Sequence, residues 1–203
     1  MTVGEDTVTV TGWVLANALL DQLYSPSTFE TLPRVIGNIR AGDEAALSGI
    51  LDTGLSSYAW LMRISVWCNE EVPFQDAGAV ARQVEAYPLF QGVDQSTVPQ
   101  GLCAAAGFGD AAPPARADAP VETDVPVLII AGALDPATPP AWQKEMVAHL
   151  PAGRLVLFPS GGHGVFTPCS GALSTAFWQD PAGPLPAECV LEDTGPDFAR
   201  AAE

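Results

Sequence analysis

Apolar positions in the first hundred residues recur at helical spacing. Ala16, Leu19, Leu20 and Leu23 fall at i, i+3, i+4 and i+7, one face of a helix that should stop before Ser25-Pro26. Ser27 and Glu30 have capping-box spacing ahead of Leu32, Ile36 and Ile39, and Gly42 supplies a stop. Pro33 then has to lie in the first turn, where its missing N–H is harmless. Asp43 is placed to cap a short helix through Leu47 and Leu51, and Asp76 another with Val80, Val84 and Tyr87 on one face. Residues 55–67 are apolar without a clear period and read equally as helix or strand.

The pattern changes near residue 105. Residues 108–124 are small, polar and proline-rich, as in a linker. Val125–Ala131 is then a short β-branched run, as expected of a strand buried on both faces. Ala141–Leu150 reads as a helix and Arg154–Phe158 as a second buried strand, so the stretch predicts a βαβ unit with a right-handed crossover. The expected organisation is a helical region over 1–107, a linker over 108–124 and an α/β part over 125–203. Two strands make a poor open sheet, because their outer edges need neighbours. Those neighbours are expected from another segment, from the helical part, or from a second copy in a homo-oligomer.

Composition narrows the classes of function. The formal net charge is -16, from 24 acidic and 8 basic residues, and 48% of the residues are hydrophobic. A surface so acidic repels phosphate backbones and anionic bilayers, which argues against nucleic-acid and membrane partners. No apolar run approaches the roughly 18 residues of a membrane span. Residues 1–12 lack the basic-then-apolar pattern of a signal peptide. The four cysteines, Cys68, Cys103, Cys169 and Cys189, include no CxxC pair, and only two histidines are present, so a metal site is poorly supported and no cofactor is expected. An even cysteine count invites two disulfides, Cys68–Cys103 and Cys169–Cys189, and an oxidising, secreted or periplasmic setting. Four buried free thiols in a cytoplasmic protein are the alternative.

The candidate chemistry lies just past the two strands. In an open α/β sheet, sites form beyond the carboxyl ends of the strands. Asp135 follows the first strand, in AGALDPATPP, and His163 follows the second, in PSGGHGVF. Placed together, the carboxylate orients the imidazole and keeps it basic, as the acid and base of a hydrolytic triad require. The glycines around His163 allow a tight loop that presents the ring.

The segment VPVLIIAGALDPATPPAWQKEMVAHLPAGRLVLFPSGGHGVF resembles the last third of α/β-hydrolases of the tripeptidyl-aminopeptidase-like (TAP-like) and prolyl-iminopeptidase-related group. The stretch ending FWQDPAGPLPAECV, flanked by Cys169 and Cys189, is similar to the same group. LYSPSTFETLPRVIGNIRAGDEAALSGILD resembles its helical lid, and SVWCNEEVPF the return from the lid to the active-site mouth. The resemblance implies the C-terminal part of an α/β-hydrolase fold, a helical lid plus the final βαβ unit of the parallel sheet. It implies Asp135 as triad acid, His163 as triad base and a Cys169–Cys189 bridge as in secreted relatives. It further implies that Glu70 and Glu71 bind the free α-amine of a substrate, a role a buried carboxylate pair fills through charge-assisted hydrogen bonds; solvated loop acids are the plainer reading.

A nucleophile elbow of the form G-x-S-x-G does not occur in the sequence. Gly54-Leu55-Ser56-Ser57-Tyr58 has a tyrosine where the second glycine belongs, and Ser160 sits on the base's own loop. By the resemblance the chain begins at the lid, so the elbow, oxyanion hole and remaining sheet are expected on an N-terminal hydrolase segment. Trp13, Trp60, Trp67 and Trp142 are expected mainly in core packing, with pocket lining as the alternative. His149 is expected to cap the C-terminus of its helix. Two functions follow: a serine-type hydrolase of the aminopeptidase or carboxylesterase class acting on a small peptide or ester, or a non-catalytic hydrolase-like binding or interaction protein.

Overall fold

In a computed structural model, the described residues are 2–3, 6–7, 9–51, 59–88, 100–108 and 119–198. They divide into two compact units, one comprising Met1–Ala18 with Leu51–Ala119, the other Leu19–Ile50 with Pro120–Glu203. Grouping by contact does not follow chain order: the helices of residues 19–50 belong with the C-terminal α/β part.

The first unit opens with a short antiparallel hairpin, β1 (Thr2–Val3) and β2 (Asp6–Thr7). Helix α1 (Gly12–Gln22) then runs on into the second unit and ends before Ser25-Pro26, as the apolar spacing anticipates. The ambiguous apolar stretch is helical where it is described: α5 (Trp60–Val66) continues into a π-helical turn, Trp67–Glu71, and a 3-10 turn, Val72–Phe74. Asp76 caps α6 (Ala77–Ala86), its Oδ1 accepting from the N–H groups of Gly78 and Ala79 at 2.8 and 3.1 Å. Helix α7 (Gln100–Ala105) carries Cys103, which is bonded to Cys68. That bridge is the centre of the unit's core: Cys68, Val72 and Cys103 are buried, with Ile64, Trp67 and Phe108 against them. Arg63 covers Trp67, its guanidinium 4.0 Å from the ring centre.

The second unit holds α2 (Pro26–Phe29), α3 (Leu32–Arg40) and α4 (Glu44–Leu51). The expected Ser27–Glu30 capping box does not form. Ser27 lies inside α2, Ser25 takes the N-cap position there, and Thr31 takes it for α3. Two prolines decide this: Pro26 and Pro33 each favour the first turn of a helix, so the segment splits into two helices rather than one. Gly42 turns with φ 91° after α3, and Asp43 Oδ1 accepts from Ala45 and Ala46 N–H at 3.0 Å to start α4.

The βαβ unit follows. Strands β3 (Val127–Gly132) and β4 (Gly153–Phe158) are parallel and in register from Val127 opposite Gly153 to Gly132 opposite Phe158, with α8 (Pro140–Ala148) between them. The first strand begins two residues later than its apolar run, after Pro126, which has no N–H to give a ladder. His149 occupies the C-cap position of α8. Helix α9 (Pro168–Gln179) starts at a capping box that the sequence pattern did not disclose: Thr167 Oγ1 accepts from Ser170 N–H at 3.1 Å while Ser170 Oγ accepts from Thr167 N–H at 2.9 Å. The last described helix is α10 (Glu188–Leu191), tied to α9 by the Cys169–Cys189 bridge. Phe29, Leu32, Ile50, Ile129, Ala131, Leu150, Phe158 and Leu173 are the buried apolar residues of this unit.

Trp13 and Trp142 depart from the expected core packing, whereas Trp67 follows it against the Cys68–Cys103 core. Trp13 and Trp142 are 53% and 59% exposed, Trp67 is half-buried beside the disulfide, and the side chain of Trp60 lies outside the described residues. No helix among the described residues is long and apolar enough to cross a membrane.

Candidate active site

Parallel pairing puts the carboxyl ends of β3 and β4 side by side, and each strand is followed at once by a tight loop. After β3 the chain turns at Ala133-Leu134, and Ala133 N–H donates to Phe158 O at 2.9 Å. Leu134 N–H donates to Gly161 O at 3.0 Å, which joins the two loops. The approach is close enough to need glycine. A Cβ on Gly132 would run into the backbone of Gly161 and Gly162, and a Cβ on Gly161 would come within 2.7 Å of Gly132 Cα. Gly164, just past the histidine, has φ 79°, a conformation that side chains disfavour.

These loops bring Asp135 and His163 together. His163 Nδ1 lies 3.1 Å from both Oδ1 and Oδ2 of Asp135. The side chain of Asp135 is 5% exposed and that of His163 43%. Burial raises the pKa of Asp135, but hydrogen bonds outweigh it and hold the carboxyl below its usual value. They come from the Thr138 hydroxyl at 2.6 Å, Thr138 N–H at 2.9 Å, Ala137 N–H at 2.8 Å and the His163 ring. An ionised carboxylate only accepts, so the ring nitrogen facing it carries the proton. Nε2 of the neutral ring is then the lone-pair site, and among the described residues it has no hydrogen-bond partner. His163 is held from behind as well: its N–H donates to Tyr24 O at 3.1 Å, and the Tyr24 ring meets the imidazole edge-on at 5.1 Å.

Sequence reasoning missed several residues of this arrangement. Thr138 gives Asp135 two of its hydrogen bonds. It stands in an Asp-x-x-Thr spacing in which the acid both caps its own turn and receives a hydroxyl, a signal present in DPAT. Tyr24 and Asp193 left no such signal, because they reach the site from far along the chain. Asp193 Oδ2 accepts from both the N–H and the hydroxyl of Ser160, at 3.0 and 2.8 Å. Ser160 is thereby engaged away from the imidazole.

Glu70 and Glu71 are both exposed on the π-helical turn of the first unit, rather than forming a buried carboxylate pair. Ser56 and Ser57 lie outside the described residues. No group of three or more His, Cys, Asp or Glu side chains that would hold a metal ion occurs among the described residues.

Comparison with known proteins gives one finding. A family model described as TAP-like protein matches residues 87–188, about half of the chain, and the match takes in β3, α8, β4 and both Asp135 and His163. No curated protein and no solved structure matches significantly.

Proposed function

We propose, from the premise that this chain belongs to the TAP-like family of α/β-hydrolases, that Asp135 and His163 are the acid and base of a serine-type hydrolase. One observation carries the reading. A buried carboxylate, held ionised by donors of its own loop, orients an imidazole whose other nitrogen is free at the carboxyl end of a parallel sheet. In the proposed reaction Nε2 of His163 takes the proton of an attacking hydroxyl and returns it to the leaving group, while Asp135 fixes the tautomer and stabilises the imidazolium. The substrate class is an ester or a peptide with a free N-terminus.

The hydroxyl is proposed to come from a segment bearing a G-x-S-x-G elbow and an oxyanion hole. The sequence contains no such motif, and Ser160 is bound to Asp193. A single oxyanion donor is worth about 10²–10³ in rate. The 203-residue chain alone should therefore turn over p-nitrophenyl esters and aminoacyl anilides very weakly or not at all. Supplying a matching elbow segment should produce activity that a serine-directed phosphonate blocks. Efficient turnover by the chain alone, abolished by Ser56→Ala, Ser57→Ala or Ser160→Ala, would place the nucleophile here instead. The same lack of an elbow favours a second reading, a non-catalytic protein that binds through this surface; a complemented assembly that stays inactive would select it.

A further inference from the structure

The loop from Phe158 to His163 does not hold itself. Within it, the only backbone bond among those described is Gly161 N–H to Phe158 O, at 3.0 Å. Its other anchors come from outside: Ala133 on Phe158, Leu134 on Gly161, Tyr24 on His163, and Asp193 on Ser160. The Asp193 anchor is a charged group that takes two donors from one residue, three positions before the imidazole. Its own placement is fixed from both sides. Immediately upstream of it, the Cys169–Cys189 bridge ties α10 to α9, so the tail leaves that helix from a tethered point. Downstream, Gly195 N–H donates to Asp193 Oδ1 at 3.0 Å, and Asp197 N–H donates to Glu30 Oε1 at 3.3 Å. The tail thus runs as a strap from the histidine loop to the α2–α3 turn, close to the Tyr24 and Phe29 positions that back the same loop.

We propose that Asp193 is a positioning residue: its carboxylate grips both donors of Ser160 and so fixes the loop that delivers the His163 ring to Asp135. The two oxygens divide the work, Oδ2 on Ser160 and Oδ1 on Gly195. An asparagine has one acceptor and one donor end, so it satisfies one side and opposes a donor on the other. Burial raises the Asp193 pKa, and the Ser160 and Gly195 donors outweigh it and hold the group ionised. The catalytic consequence rests on the reading of His163 as the base, while the geometric claim is tested without turnover.

The test is nitrogen-15 NMR of the histidine rings in the full chain, which has only two histidines. Asp135→Asn should remove the downfield Nδ1 proton of one ring and shift its tautomer ratio, identifying His163. Asp193→Asn should move the same ring most of the way to that ratio and broaden or abolish the Nδ1 proton. Ser160→Ala, which keeps the N–H donor, should give an intermediate change, and Glu192→Gln on the exposed neighbour none. A residue that merely adds stability would lower Tm and leave the tautomer ratio of the folded protein as in the wild type. A folded Asp193→Asn protein with a wild-type ring spectrum, or an unchanged Ser160→Ala spectrum if Asp193→Asn does not fold, overturns the positioning role. If Asp135→Asn itself changes neither ring, the pairing fails and takes the proposed function with it, an outcome distinct from failure of Asp193 alone.

Discussion

Asp135 does two jobs with one carboxylate, and they are separable. It closes its own turn through Ala137 and Thr138 and it holds the His163 ring. Its folded pKa is depressed, so its contribution to stability is fully present above the unfolded value of 3.8 and is lost as pH falls through the lower folded value. Asp135→Asn should therefore lower stability at neutral pH, by about 1–3 kcal/mol for charge-assisted bonds. The gap from wild type should narrow below pH 3.8. Thermal melts across an acid series check this; a gap that widens on acidification would contradict the sign. The side-chain caps at this scale were legible. Asp43 and Asp76 cap helices because a short carboxylate reaches N–H groups two and three residues on, whatever the rest of the fold does. Asp193 was not legible, since its partner Ser160 lies 33 residues away and nothing local marks the pair.

Elements built from apolar runs were read well in kind and less well in extent. The βαβ unit follows from two buried runs flanking a helix-length stretch, and those runs placed Asp135 and His163 at one end of the sheet. The exposed faces of α1 and α8, carrying Trp13 and Trp142, could not be read from hydrophobicity, because a tryptophan signals burial only when a neighbour exists to bury it. The two disulfides make a sharper prediction. Cys68 and Cys103 are 1% and 5% exposed and centre the core of the first unit, whereas Cys169 and Cys189 are half-buried. Alkylation without reductant, followed by intact mass, should find all four thiols blocked. Graded reduction should open Cys169–Cys189 first. Loss of the inner bridge, whose ends are 35 residues apart, should remove about 3–4 kcal/mol of stability on a chain-entropy argument. Opening of Cys68–Cys103 ahead of the outer bridge would contradict this. Two bridges also fit an extracytoplasmic, oxidising compartment.

At the scale of the whole molecule, β3 and β4 pair only with each other among the described residues. Phe166, Trp178 and Leu191 of the same unit are 95%, 79% and 85% exposed. Unpaired edges beside exposed apolar side chains predict association, either of copies or with an elbow-bearing segment. Light scattering should show a species larger than the 21.1 kDa chain at micromolar concentration, and a well-behaved monomer would count against it. The -16 charge opposes indiscriminate self-association, which favours a specific complement over open-ended aggregation. The role proposed for His163, held by Asp135, is that of the working base of a hydrolase. It is tested most directly by measuring kcat/KM for an ester in the complemented assembly, with wild-type chain against His163→Ala and Asp135→Asn. Asp135→Asn should lower the rate by about 10⁴ and His163→Ala by about 10⁶, whereas hydrolysis that persists undiminished without the imidazole would rule this role out.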